Sequence, residues 1–302
     1  MKRILYSLLV IIFTLLLFTG CGKEQAGFAF FKPTSTSTPT ETFTPTLTPT
    51  LTATPTATAT STPTITPTPT PAFVMVEKGN ITVPILLYHH IDSALDGSRY
   101  NVDPATFEEQ IKWLFDNHYT TINVSEVASL IENGGEMPIR PVVITFDDGN
   151  LDIYKDAYPI LKKYGFTATF YIVDGYINGK DMISTDQIKE LIANGWEIGS
   201  HSKHHIDLTT DGADLETEIR LSKVNMEERL GVPINSFAYP FGQVNENVIN
   251  KTIRSGYTSA VGLGERYTHG IRDIFYLIRM EIQGDYTMEK FISLLPWSGP
   301  IQ

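Results

Sequence analysis

The sequence predicts an α/β fold of parallel strands with covering helices, either a barrel or an open doubly wound sheet. Three observations carry that expectation. Residues 74–302 have the length of one α/β domain and can bury a full core. Strand-like apolar runs recur at 81–88, 142–146, 168–173, 197–200, 236–239, 258–262 and 276–282, with helical patterns between them. Several of these runs also end in residues that carry chemistry: His89 and His90, Asp147 and Asp148, His201, Tyr239 and Arg279. In a barrel, the carboxyl ends of the strands gather such residues at one mouth.

Taken in order, the chain begins with Lys2 and Arg3 ahead of an apolar run from Ile4 to Phe18. That run is short for a bilayer span and suits a signal-peptide core. Leu17-Phe18-Thr19-Gly20-Cys21 resembles a bacterial lipobox, so residues 1–20 are expected to be a lipoprotein signal peptide and Cys21 the lipidation site. The product would be exported, held at the cell membrane by its lipid and facing the extracytoplasmic side. Cys21 is the only cysteine, which excludes an intramolecular disulfide. Residues 21–73 form a linker, mostly Thr and Pro from Pro33 to Pro71, with too little to bury to offset its ordering entropy. At about 3 Å per residue, such a stalk would reach on the order of 100 Å.

Within residues 74–302, the first strand-like run is Ile81 to Tyr88. Asp103 and Pro104 then open a helix in which Phe107, Ile111, Leu114 and Phe115 share a face, with Trp113 read as packing. Gly165 stops the helical pattern that follows Val142 to Phe146. Ser184 and Gln187 form a capping box, and Gly195 ends that helix ahead of Glu197 to Ser200. Gly231 and Gly256 make similar stops before the runs Ser236 to Tyr239 and Thr258 to Gly262.

The net charge of -11 and pI near 5.1, without basic clusters, exclude nucleic acid as a partner and make bulk attraction to anionic polymers unsuitable. Recognition should be local, through aromatic faces and hydrogen bonds, with Tyr100, Tyr239, Phe241, Trp196 and Trp297 available. A monomer is expected.

Two stretches carry the chemistry. The run Pro141 to Phe146 ends in Asp147, Asp148 and Gly149. Neighbouring side chains on a strand point to opposite sides, so the two carboxylates have different roles unless the backbone twists at the turn. The alternative is a plain turn, one Asp capping the next helix and the other facing water. In the second stretch, His201 and His205 are four apart and would lie on one face of a helical turn, able to reach one ion with a nearby carboxylate as third ligand. Three protein ligands leave positions open for water and substrate, as a hydrolytic metal requires. His204 is read as a bystander, and a solvated loop is the alternative.

Together these residues resemble the polysaccharide deacetylases of carbohydrate esterase family four. Thr145-Phe146-Asp147-Asp148-Gly149 matches the family's first motif and His201-Ser202-Lys203-His204-His205 its second. Phe237-Ala238-Tyr239-Pro240-Phe241-Gly242 resembles the third, and Pro84 to Ile91 resembles a strand upstream in many members. The resemblance spans about residues 81 to 295 and implies a distorted, incomplete (β/α) barrel of about seven parallel strands. It implies Asp148, His201 and His205 as ligands of a divalent ion, zinc by its nitrogen and oxygen donors, with cobalt, nickel or manganese as alternatives. Asp147 would be the base. Tyr239, Pro240 and Phe241 would meet the substrate, the Phe241 N–H holding the oxyanion. The implied reaction is hydrolysis of N-acetyl groups on a cell-wall or extracellular polysaccharide: peptidoglycan, a chitin-like glycan or a poly-N-acetylglucosamine. An O-acetyl esterase on xylan-like polymers and a non-catalytic glycan-binding lipoprotein are the alternatives.

The chain departs from the family pattern in three places. Ala238 stands where many members carry an arginine paired with the catalytic Asp, Leu277-Ile278-Arg279 replaces a late Leu-x-His, and the tryptophan-bearing fourth motif is not recognisable. Arg279 is the expected substitute for the missing arginine, with a surface pairing to Glu281 as the alternative. Replacing it should then lower turnover and leave folding intact. The general acid would be Asp147 itself or one of His89, His90 and His269.

Overall fold

A computed structural model describes residues 72–93 and 97–299; the expected leader, Cys21 and almost all of the Thr/Pro linker lie outside the described residues. Seven parallel strands form a ring: β1 (Ile85–Tyr88), β2 (Pro141–Phe146), β3 (Thr169–Ile172), β4 (Glu197–Ser200), β5 (Ser236–Ala238), β6 (Ser259–Leu263) and β7 (Leu277–Glu281). Each pairs with the next in chain order. The ring closes where β7 returns to β1 through Met280↔Leu86 and Glu281↔Leu87. Seven strands are one fewer than a complete (β/α) barrel has. The ring is also uneven, since Ser200↔Phe237 is the sole register pair joining β4 to β5.

Parallel strands covered on both faces read as continuous apolar runs, and β1, β2 and β3 are buried at every position. Their alternation sorts the side chains into two clusters. Leu86, Tyr88, Ile144, Phe146, Phe170 and Ile172 face outward and pack under the helices. Ile85, Val143, Tyr171, Ala238, Val261 and Leu277 face inward, together with Val124, Val127 and Ile131 of a helix that runs from Val124 to Asn133.

That helix, α2, follows α1 (Pro104–Asp116) and closes the amino-terminal end of the barrel. The Val124 N–H donates to Thr169 Oγ1 at the start of β3, and the Ser125 N–H donates to Glu197 Oε2 at the start of β4 (3.2 and 3.0 Å). The outer helices begin as their caps predict. Asp103 accepts from the Ala105 N–H at the start of α1, whose buried face carries Phe107, Ile111 and Leu114. Trp113 packs edge-on against Phe291. The Ser184–Gln187 capping box opens α3 (Thr185–Ala193). Gly165, Gly195, Gly231 and Gly256 all have positive φ at the helix ends assigned to them.

The run Ile81 to Tyr88 is not one strand. Pro84 supplies no N–H to a ladder, so β1 starts at Ile85, and Ile81–Thr82 forms a separate antiparallel ribbon with Thr268–His269. This places His269 ahead of β1, at the closed end of the barrel. His269 is buried there with Nε2–H donating to the Val83 carbonyl (3.1 Å), so it cannot serve as an acid at the mouth.

Burial holds the His269 pKa down to about 4 from 6.5, so the folded chain keeps this imidazole neutral where the unfolded chain takes a proton. Its contribution to stability is present above about pH 6.5 and is lost as pH falls toward 4. Thermal denaturation at pH 7.5 and pH 4.5 should therefore show the wild type losing about 2 kcal/mol more than His269→Gln over this interval. Parallel declines would remove His269 from the acid response.

Candidate active site

The carboxyl ends of the strands deliver their polar residues to one cavity of about 520 Å³. Its wall includes His89 and His90 after β1, Asp147 and Asp148 after β2, His201 after β4, Tyr239 after β5 and Arg279 from within β7. The outcome is the convergence expected of a barrel.

Asp147 and Arg279 are buried, 2% and 1% exposed. The guanidinium grips the carboxylate with both terminal nitrogens, Nη1–Oδ1 at 2.6 Å and Nη2–Oδ2 at 2.8 Å. Arg279 is held from behind as well: Nε–H donates to the Gly262 carbonyl (3.3 Å), and the guanidinium lies over the Tyr171 ring at 5.3 Å. Burial alone would push the Asp147 pKa up. The charge of Arg279 outweighs this and brings it down to about 2, so Asp147 is an ionised acceptor at neutral pH. Glu281, the alternative partner, pairs with Arg99 instead (3.1 Å).

The turn after Asp147 twists. Asp148 has φ +73° and Gly149 φ +92°, and a Cβ on Gly149 would stand 2.9 Å from Ile172 Cγ2. The twist lets two successive carboxylates face the same cavity. Asp148 Oδ1 lies 3.6 Å from His201 Nε2 and 3.4 Å from His205 Nε2, and one ligand atom from each of the three residues falls within 4.8 Å of the others.

The histidines do not sit on a helical turn. Residues 201–206 form a loop in which Ser202 (φ +65°) and His205 (φ +54°) are left-handed, and these two reversals bring His205 back beside His201. Because a carbonyl can only accept, the 2.8 Å contact of His201 Nδ1 with the Ala238 carbonyl fixes the proton on Nδ1 and leaves the Nε2 lone pair facing the cavity. Burial, followed by the proximity of His201, lowers the His205 pKa and favours its neutral form. Two free imidazole nitrogens and a carboxylate oxygen form a donor set suited to a divalent ion. His204 turns away to Glu218 (Nδ1–Oε1 2.6 Å).

The third stretch divides. Phe241, left-handed at φ +58° and 55% exposed, stands at the mouth with its ring 4.6 Å from that of His205. Tyr239 lines the cavity, but its hydroxyl is committed to the Phe275 carbonyl (3.0 Å). Pro240 is buried, is not among the residues of the cavity wall and begins a short 3₁₀ turn that shapes the backbone there. Trp196 stacks on Phe146 in the core, and Trp297 packs on Tyr119, which leaves Tyr100 as the other aromatic at the wall. Both nitrogens of His90 are engaged, Nδ1 by Asp152 (2.8 Å) and Nε2 by Asn150 (3.3 Å). His89 differs: its Nδ1 is buried with no partner among the described residues. Sequence reasoning missed Glu281 as a wall residue, although its position two along from Arg279 on one strand puts both on the inner face.

A closed parallel barrel with an ion-paired aspartate beside an Asp–His–His cluster fits the site of a hydrolase. Residues 134–260, which contain all three motif stretches, match the family model for polysaccharide deacetylases. Over 191 residues the chain is 34% identical to YxkH, a Bacillus subtilis protein assigned to the polysaccharide deacetylases, covering 63% of this chain and 67% of that protein. It is 27% identical over 212 residues to the poly-β-1,6-N-acetyl-D-glucosamine N-deacetylase of Staphylococcus aureus, covering 65% and 73% of the two chains. The Streptococcus pyogenes deacetylase PplD, solved in complex with acetate, superposes with a TM-score of 0.66 at 26% identity over 71% of this chain and 98% of that one. The chain belongs to the polysaccharide deacetylase family.

Arg279 is buried against a buried carboxylate, which changes what its removal should do. Arg279→Ala strands the Asp147 charge and should cost on the order of 3–5 kcal/mol of stability as well as turnover. The buried pair thus adds an expected loss of stability to the loss of turnover anticipated from the sequence. The double variant Arg279→Ala/Asp147→Ala should regain part of that loss in denaturant titration, and simple additivity of the two single losses would show the pair uncoupled.

Proposed function

We propose that the protein hydrolyses N-acetyl groups on an N-acetylglucosamine-containing polysaccharide outside the cell, in a metal-dependent reaction, while tethered by a lipid on Cys21. The observation that carries this reading is the doubly bonded Asp147–Arg279 pair set against Asp148, His201 and His205 in one cavity. Staphylococcus aureus has a relative named for that chemistry on poly-β-1,6-N-acetyl-D-glucosamine, which supports this substrate class over the others.

Asp148, His201 and His205 would hold the ion, and zinc suits their donors, with cobalt, nickel and manganese as alternatives. An aspartate with its pKa near 2 is a weak base toward ordinary water, and the chemistry a bound divalent ion supplies is to acidify that water and polarise the acetyl oxygen. The residues of the chain do the rest. Arg279 fixes the plane of the Asp147 carboxylate so that one oxygen accepts the water's proton. The Phe241 N–H, on its left-handed turn at the mouth, is the donor we assign to the oxyanion. Arg279 stays protonated throughout and cannot return a proton. His90 is engaged on both nitrogens and His269 lies at the closed end, so we assign protonation of the leaving nitrogen to His89. Acetate leaves, and a free amine remains on the sugar.

The reading is tested by acetate release from poly-β-1,6-N-acetylglucosamine, chitooligosaccharides, peptidoglycan and acetylxylan in parallel. Release from acetylxylan alone would make the protein an O-acetyl esterase, and binding without release a glycan-binding lipoprotein. Asp148→Ala, His201→Ala and His205→Ala should each lose stoichiometric metal and acetate release together, while His204→Ala keeps both. Full metal occupancy in His205→Ala would reject the ligand set.

Membrane fractionation tests the tether. Cys21→Ala should move the protein from the detergent-extracted fraction to a soluble or unprocessed form. Cleavage ahead of residue 21 with unchanged membrane retention would count against lipidation.

A further inference from the structure

The loop carrying His205 is gripped from outside the cavity by a residue that no motif includes. His201 is pinned by the barrel, its N–H donating to the Ile172 carbonyl (2.9 Å). His205 has no such strand beneath it. It hangs on a loop whose backbone is left-handed at Ser202 and at His205 itself, a conformation that side-chain-bearing residues rarely adopt unless their surroundings hold it. Glu218 is what holds the middle of that loop. Its Oε2 accepts from the successive N–H groups of Lys203 (3.1 Å) and His204 (2.9 Å), and its Oε1 lies 2.6 Å from His204 Nδ1.

Glu218 is 3% exposed, so its charge is neutralised by these donors and not by water. It comes from the π-helical segment Glu216–Leu221, which widens the chain just ahead of α4 (Ser222–Leu230). The remaining amide of the loop is closed by Ser202 Oγ, which accepts from the His205 N–H (2.9 Å). The opposite wall is equally tight: Gly175 donates its N–H to the Lys203 carbonyl (3.0 Å), and a Cβ on Gly175 would stand 2.6 Å from that oxygen.

We infer that Glu218 is a positioning residue for metal binding, setting the path of the loop between His201 and His205 so that the two imidazoles meet Asp148. This rests on the metal-site reading given above. Glu218 touches neither substrate nor ion; it acts through the amides of Lys203 and His204. Partners of this kind are worth roughly ten- to a hundredfold in metal affinity.

The test is zinc affinity by competition with a chromogenic chelator, using metal-stripped protein, beside thermal denaturation of the metal-free form. Glu218→Ala should weaken the zinc Kd by roughly ten- to a hundredfold. Glu218→Gln, which keeps the shape and one carbonyl oxygen for the amides, should weaken it by less. If Glu218→Ala does not fold, Glu218→Gln decides. A wild-type Kd in a folded variant, even with a lowered melting temperature, would make Glu218 a structural residue only and overturn the inference, provided that the wild type binds zinc and His205→Ala does not. A wild type without stoichiometric zinc, or a His205→Ala variant that binds as tightly as the wild type, would instead bring down the metal site itself.

Discussion

Two opposite charges with almost no access to water sit at the centre of this barrel, and much of the surrounding structure follows from keeping them together. An isolated buried carboxylate would shed its charge by taking a proton. The fork of Arg279 prevents this, and Arg279 is in turn fixed by the Gly262 carbonyl and by the ring of Tyr171. Tyr171 needs its own room: a Cβ on Gly199 would fall 2.3 Å from its ring, so β4 carries glycine where the tyrosine passes. The ionised state of Asp147 therefore depends on a stack of inward-facing residues drawn from several strands, not on its own motif alone.

The same economy explains why one departure from the family pattern is tolerated. Ala238 brings no guanidinium, yet its carbonyl orients His201, while the arginine arrives from β7 on the other side of the ring. The guanidinium can come from a different strand because in a barrel all the strand ends share one rim.

Much of this was legible in the sequence. All seven barrel strands coincide with strand-like runs, most plainly β1, β2 and β3, which burial on both faces makes nearly continuous apolar runs, and the caps at Asp103 and Ser184 mark helix starts by local chemistry. Asp147, Asp148, His201 and His205 are visible as polar ends of apolar runs, and Arg279 as a charge that a strand interior would not hold without a partner. What stayed hidden depends on backbone dihedrals and distant contacts. Four of the seven non-glycine residues with positive φ among the described residues, Asp148, Ser202, His205 and Phe241, lie in the site loops, and none of these residue types announces that conformation. The spacing of His201 and His205 suggests a helical turn, but the loop reaches the same proximity by two reversals. Helix α2 has a readable apolar face, yet nothing local says that it stoppers one end of a barrel. Glu218 looks like any helix-surface glutamate until the fold brings it to the amides of Lys203 and His204.

Closure of the ring has a consequence for how the chain comes to be folded. The last seam joins Leu86 to Met280, roughly 190 residues apart in sequence, and the ion pair at its centre spans 132 residues. Contacts of such long range carry a large loop-closure entropy and form late. Until β7 emerges from the ribosome, β1 and β6 each present an open edge and Asp147 lacks its counter-charge. The working centre is thus among the last parts of the molecule to exist, and a chain stopped short of residue 277 would lack both the seam and the guanidinium at once.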